Sequence, residues 1–105
     1  MTICLCCVSG FSSSILGRNL ENWLKERTGQ DVIVQPCSYR LCKDEGDLAD
    51  LILLAPQMTW ARQEMEQLFP GALILAIGHR EYGLGEPEMI GREILKLCRQ
   101  ADGDD

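Results

Sequence analysis

The stretch CLCCVSGFSSSIL, residues 4–16, joins an apolar, cysteine-rich run to a loop of small and hydroxyl-bearing residues. The apolar run Thr2–Val8 predicts a buried strand, which ends at Ser9-Gly10. Beyond the loop, apolar residues recur at steps of three and four and predict a helix over 13–28. The stretch therefore indicates a strand, a short loop and a helix, with Cys7 at the end of the strand.

The rest of the chain repeats this alternation of strand and helix. Apolar runs bounded by proline or glycine predict strands at 31–35, 50–55 and 72–77. Helical spacing predicts helices at 58–68 and from Pro87 onward, and the unpatterned segments 37–49 and 78–85 are expected to be loops, the first with one helical turn. This order predicts an α/β fold of three layers, in which a four-stranded parallel sheet carries helices on both faces. Strands that are apolar at nearly every position agree with burial from both sides.

Length and charge limit the class of protein. The chain has 105 residues, of which 46% are hydrophobic, and its net charge is −6. We expect one domain over residues 1–101 and a disordered acidic tail over residues 102–105. The negative charge argues against nucleic acid as a partner, since such binding requires a cationic face. The N-terminus lacks the features of a secretory signal, so a cytoplasmic location with reduced cysteines is expected.

The loop that follows the first strand has the composition of an anion site. Loops at the carboxyl ends of parallel strands form the functional edge of such sheets. Main-chain amides of a Gly/Ser loop and of the following helix stabilise negative charge, here on the sulfur of Cys7. The pattern indicates a phosphate-binding loop around a phosphorylated cysteine, although a plain turn between strand and helix remains open at this point. The candidate phosphate-binding residues are Val8, Ser9, Gly10, Phe11, Ser12, Ser13 and Ser14.

Three other cysteine chemistries fit the residues less well. Cys4 and Cys7 form a CxxC motif, but three residues of a strand span about 10 Å, beyond the limit of about 7 Å between the α-carbons of a disulfide. A zinc site would need a second close cysteine pair, which the sequence lacks. A low-molecular-weight tyrosine phosphatase would need an arginine six residues after its cysteine, to stabilise the phosphoryl transition state. That position is Ser13, and the nearest arginine is Arg18.

The loop Cys7–Ser14 and the segment Leu51–Pro70 together resemble the IIB component, of lactose/cellobiose/chitobiose type, of the bacterial sugar phosphotransferase system. The loop matches the family pattern C-x-x-G-x-S-[ST]-S. Leu54-Ala55-Pro56-Gln57 is similar to the element after the third strand, with alanine where glycine is usual, and Tyr82-Gly83 matches a pair after the fourth strand. The resemblance implies a flavodoxin-like, phosphotyrosine-phosphatase-like sheet of strand order 2-1-3-4.

The resemblance also implies a function. Cys7 would accept a phosphoryl group from a phosphohistidine IIA protein and pass it to a sugar held by a membrane IIC permease, so that the protein meets the inner membrane face transiently. Gln57 and Tyr82 would support the site, His79 would be a solvated loop residue, and no cofactor or metal is expected. Such a relay needs an accessible sulfur that faces main-chain amides. A regulatory or binding domain without transfer activity, and a thiol redox protein, are the alternatives.

Overall fold

A parallel sheet of four strands lies at the centre of the protein. The structure is a computed structural model, which describes residues 1–7, 13–45 and 48–101. The strands follow the order β2-β1-β3-β4, and all neighbouring pairs are parallel. The predicted fold class and strand order are therefore confirmed. The strands are β1 (Thr2–Cys6), β2 (Ile33–Cys37), β3 (Leu51–Leu54) and β4 (Leu73–Ala76).

Helices cover both faces of this sheet. Along the chain they are α1 (Ser13–Thr28), α2 (Tyr39–Glu45), a 3-10 helix (Pro56–Ala61), α3 (Arg62–Leu68), α4 (His79–Leu84) and α5 (Pro87–Ala101). Residues of α1 and α5 share one apolar cluster with Ile3 and Leu5 of β1. Residues of α2, the 3-10 helix and α3 share the other cluster with Cys4 and Cys6. Successive side chains of a strand point to opposite faces, so β1 contributes aliphatic residues to one face and thiols to the other. No helix in the described ranges is long and apolar enough to cross a membrane.

The strand β2 begins and ends two residues later than the sequence predicted, and Pro36 lies inside it rather than closing it. The position of β2 at the edge of the sheet explains this difference. The amide of Ile33 donates to Met1 of the neighbouring chain segment, whereas the amide of Val34 turns outward and donates to a carboxylate oxygen of Glu21 (2.8 Å). Pro36 follows Val34 by two residues and faces the same way, so its missing N–H removes no bond of the sheet.

Two segments that were predicted as loops contain helices. Residues 37–49 include the two turns of α2, whose first turn is closed by the hydroxyl of Ser38 accepting from the amide of Leu41 (3.3 Å). Residues 78–85 include α4, which ends at Gly85 with a positive φ of 64°. Both helices are short, so packing against the sheet stabilises them more than their own periodicity does.

The segment after β3 also differs from its prediction. A single helix over 58–68 was expected, but the chain first makes the 3-10 helix Pro56–Ala61 and then α3. The predicted bounds of α1, residues 13–28, are those of the structure, and α5 begins at Pro87 as expected. The predicted acidic tail, residues 102–105, lies outside the described residues.

Candidate functional site

The carboxyl ends of the four strands meet at one edge of the sheet, which is the predicted functional edge. The residue directly after each of three strands continues the hydrogen bonding of the sheet. Each of these residues donates its main-chain amide to a main-chain oxygen of the neighbouring strand. The bonds run from Cys7 to Cys37 (3.0 Å), from Ala55 to Cys6 (2.9 Å) and from Ile77 to Leu54 (2.9 Å). The backbone at this edge is therefore held firmly up to and including Cys7.

Cys7 follows the inner strand β1, but its side chain is 2% exposed. Its thiol donates to the main-chain oxygen of Cys37 at 3.6 Å, the same oxygen that accepts from its amide. The expectation of a sulfur that is open to a partner protein is therefore not met in this conformation, because the thiol turns toward β2. Phosphoryl transfer at Cys7 requires that the thiol leave this carbonyl.

The proposed phosphate-binding loop lies largely outside the described residues, since Val8, Ser9, Gly10, Phe11 and Ser12 belong to the range 8–12. Ser13 and Ser14 are the first two residues of α1, and their side chains are also outside the description. The first turn of α1 contains no acidic residue. The positive end of its dipole is therefore not neutralised by its own first turn, which suits a bound anion.

The two predicted supporting residues follow β3 and β4. Gln57 is the second residue of the 3-10 helix and is exposed, whereas the preceding Pro56 is buried. Tyr82 lies on α4 rather than on a loop, and its half-buried ring packs against both apolar clusters. His79 is the exposed first residue of α4. Gln57 is thus available to a partner or a phosphoryl group, while Tyr82 has a clear packing role.

A thiol cluster beneath this edge was not anticipated from the sequence. Cys4 and Cys6 point from β1 toward α2, where they meet Cys42, and Cys37 completes the group from β2. The thiol of Cys4 donates to the sulfur of Cys42 at 3.3 Å. All six cysteines lie in the described ranges, and none of them is in a disulfide. The alternation of Cys4 and Cys6 predicts a shared face, but Cys42 joins them only through α2, which the sequence did not reveal.

A charged and aromatic group lies on the surface formed by α2 and α3. The hydroxyl of Tyr39 donates to Glu64, which also pairs with Lys43 at 3.3 Å. The ring of Tyr39 lies 5.0 Å from that of Trp60, whose side chain is largely exposed. The hydrogen bond from Tyr39 holds the pKa of Glu64 below its usual value, and the same bond raises the pKa of Tyr39.

Comparisons with known proteins agree on one family. A family model described as the lactose/cellobiose-specific IIB subunit of the PTS system matches residues 2–81. The structure is similar to the lactose-specific IIB component domain of the phosphoenolpyruvate:carbohydrate phosphotransferase system from Streptococcus pneumoniae, with a TM-score of 0.72 and 29% identity over 90% of this chain and 93% of that chain.

A second solved structure is similar over nearly the whole chain. It is the cellobiose-specific phosphotransferase IIB component protein from Borrelia burgdorferi, with a TM-score of 0.66 and 25% identity over 96% of this chain and 90% of that chain. The family model spans well over half of the 105 residues. The chain therefore belongs to the lactose/cellobiose-specific IIB family of the sugar phosphotransferase system.

Proposed function

We propose that this IIB domain is a phosphoryl carrier, a protein-phosphocysteine sugar phosphotransferase component. Cys7 accepts a phosphoryl group from a phosphohistidine on a IIA protein and passes it to a sugar bound by a membrane IIC permease. The observation that carries the proposal is the location of Cys7, directly after an inner strand at the carboxyl edge of a IIB-family sheet. Parallel α/β sheets bind their ligands at this edge.

The reaction consists of two displacements at phosphorus. Cys7 loses its proton, its sulfur attacks the phosphohistidine, the N–P bond breaks, and the imidazole keeps the electron pair. A sugar hydroxyl then attacks the same phosphorus, loses its proton, and the S–P bond breaks to return the thiolate. Because each step moves one phosphoryl group between two nucleophiles, no cofactor is needed.

The proposed loop provides stabilisation that suits a carrier. Amides and hydroxyls of residues 8–14 would hold the phosphoryl oxygens, next to an α1 N-terminus that has no acid in its first turn. Gln57, which is exposed after β3, and Tyr82 on α4 would border the site. Residues 8–14 contain no arginine, and Arg18 lies exposed in the second turn of α1. A loop without a guanidinium favours holding the phosphoryl group over its hydrolysis.

The burial of Cys7 adds a conformational step to this proposal. The thiol must give up its bond to the Cys37 oxygen and turn away from β2 before a partner can reach it. A thiol–carbonyl hydrogen bond is weak, with the thiol a poor donor, so this step is energetically small compared with global unfolding. Rotation about one side-chain bond is sufficient to break it.

The proposal also covers the cellular location of the protein and the extent of its working domain. A carrier that shuttles between a IIA protein and a IIC permease works in the cytoplasm and meets the inner membrane face transiently. Residues 1–101 form the working domain. This location is consistent with the small size and acidic charge of the chain.

Incubation with a phosphorylated IIA protein of the lactose/cellobiose type tests the carrier function. The intact mass should rise by one phosphoryl group, and Cys7→Ser should abolish the gain, whereas the matched variants Cys4→Ser and Cys6→Ser should retain it. Circular dichroism establishes that each variant is folded. A folded wild-type protein that gains no phosphoryl group, with donors that phosphorylate a known IIB protein in parallel, would refute the carrier and favour a regulatory or binding domain.

A further inference from the structure

The thiol cluster contains two sulfurs in direct contact that the phosphoryl relay does not use. Cys4 lies on β1 and Cys42 on α2, and they are 38 residues apart in the sequence. Their sulfurs are 3.3 Å apart, and the side chains are 5% and 0% exposed. A disulfide has an S–S length of about 2.05 Å, so closing the pair requires a movement of little more than 1 Å.

We propose that Cys4 and Cys42 are a peroxide-sensitive thiol pair, which closes to a reversible disulfide between β1 and α2. The pair does not include Cys7, so it differs from the CxxC pairing of Cys4 with Cys7. It goes beyond the carrier function and does not rest on it.

A cavity of about 210 Å³ gives a small oxidant a route to this pair. Its lining includes Cys4 and Cys37 from the sheet, with Thr2, Gln35, Leu48 and Ala49 around them. A water molecule occupies about 30 Å³ in the liquid, so the cavity has room for a molecule as small as hydrogen peroxide. Cys42 does not line the cavity, so Cys4 is the sulfur of the pair that the peroxide meets first.

The electrostatics of the cluster supply a base beside Cys4. Hydrogen bonds from the thiols of Cys4 and Cys6 lower the pKa of Cys42, against burial, which acts in the opposite direction. Hydrogen bonding with Cys37 and with Cys42, together with burial, raises the pKa of Cys4. Because the two sulfurs are in contact at 3.3 Å, they titrate as a pair: after the first proton is lost, the remaining proton lies on the hydrogen bond between them, and its movement onto Cys42 leaves the thiolate on Cys4.

The oxidation balances with one peroxide and two sulfurs. The proton of Cys4 moves to Cys42 while the Cys4 sulfur attacks one peroxide oxygen, the O–O bond breaks, and hydroxide leaves, which gives a sulfenic acid on Cys4. The hydroxide takes the proton from Cys42 and forms water. The Cys42 thiolate then attacks the Cys4 sulfur, the S–O bond breaks, and a second hydroxide leaves. Two electrons pass from the sulfurs to the peroxide, and a thiol reductant reverses the reaction.

Oxidation of the full chain with hydrogen peroxide tests the proposal. Labelling under denaturing conditions should show the loss of two of the six thiols, with recovery after dithiothreitol. Trypsin places the cysteines of the cluster in different peptides: Cys42 falls in the peptide 41–43, Cys37 in 28–40, and Cys4 in 1–18. We expect a disulfide between peptides 1–18 and 41–43, which fragmentation assigns to Cys4.

Variants and alternative pairings complete the test. Cys42→Ala and Cys4→Ala should abolish the loss of two thiols, whereas Cys98→Ser, on the opposite face of the sheet, should leave it unchanged. If either alanine variant fails to fold, the peptide map of the oxidised wild-type protein alone shows which two cysteines the disulfide joins. A peptide 41–43 that stays fully alkylated after peroxide, or that is joined through Cys7, Cys6 or peptide 28–40, would overturn the proposal. Phosphorylation by a IIA donor is measured independently, so failure of one proposal is distinct from failure of the other.

Discussion

Gly91→Ala tests the packing between α1 and α5 on the face of the sheet that positions the start of α1. An ideal Cβ at Gly91 would lie 2.3 Å from Cζ3 and 2.4 Å from Cε3 of Trp23. Non-bonded carbon atoms prefer about 3.5–4.0 Å, so the indole ring or the helix must move by about 1 Å or more. Trp23 is half-buried against the apolar cluster that α1 and α5 share, so a shift of its ring disturbs that packing and the contact with the guanidinium of Arg27, 4.7 Å from the ring centre.

The size of the destabilisation by Gly91→Ala follows from two opposing contributions to the free energy of unfolding. Overpacking of a well-packed site costs about 1–3 kcal/mol, and a clash of one Cβ with two ring atoms belongs to the upper part of that range, about 2–3 kcal/mol. Replacing glycine by alanine inside a helix returns about 1 kcal/mol. The net destabilisation is therefore about 1–2 kcal/mol, which corresponds to a fall in Tm of roughly 4–16 °C for a domain of this size. Urea unfolding followed by far-ultraviolet circular dichroism measures the change in the free energy of unfolding directly.

Gly83→Ala in α4 is the matched control, because a Cβ at that position meets nothing within 4 Å. It should leave the free energy of unfolding unchanged or raise it by up to about 1 kcal/mol. In a Trp23→Leu background, the additional effect of Gly91→Ala should shrink, since the clashing ring is gone. A Gly91→Ala protein at least as stable as the wild type would refute the reasoning.

Two further predictions concern side chains that hold other elements in place. Glu21→Ala leaves the amide of Val34 on the edge strand without its carboxylate acceptor and should lower the free energy of unfolding by about 1–3 kcal/mol. Glu21→Gln keeps an acceptor oxygen and should lower it less. Equal losses for the two variants in urea unfolding would contradict this prediction. Glu64→Gln removes the carboxylate that raises the pKa of Tyr39. Tyrosine ionisation, followed by near-ultraviolet absorbance with Tyr39→Phe to identify the transition, should then begin at lower pH, and an unchanged titration curve would show that Glu64 does not control Tyr39.

The sequence predicts the central architecture well because its signals there are strong. Buried strands are apolar at nearly every position, and α1 shows helical spacing over four turns, so element type and order follow from local patterns. The sequence placed the edge strand β2 two residues too early, because Pro36 was taken to end it. A proline usually ends a strand, but it is tolerated in an edge strand where its nitrogen faces outward. Such tolerance depends on sheet position, which local patterns do not contain.

The helices α2 and α4 and the thiol cluster illustrate what local patterns miss. Each helix has fewer than eight residues and depends on contacts with the sheet, so periodicity over so short a range is weak. Cys42 meets Cys4 only because α2 returns over β1, a tertiary contact between residues 38 apart. The candidate phosphoryl site was identified from its motif, but the inward orientation of the Cys7 thiol toward Cys37 became visible only in three dimensions.

Mapping the phosphorylated residue tests the central claim most directly. The protein is phosphorylated by a IIA donor, separated from it, digested at neutral pH, and the modified peptide is sequenced by mass spectrometry. The account predicts one phosphoryl group on Cys7, which returns to unphosphorylated IIA when the two are mixed again. A phosphoryl group found on His79, or on any cysteine other than Cys7, would contradict it.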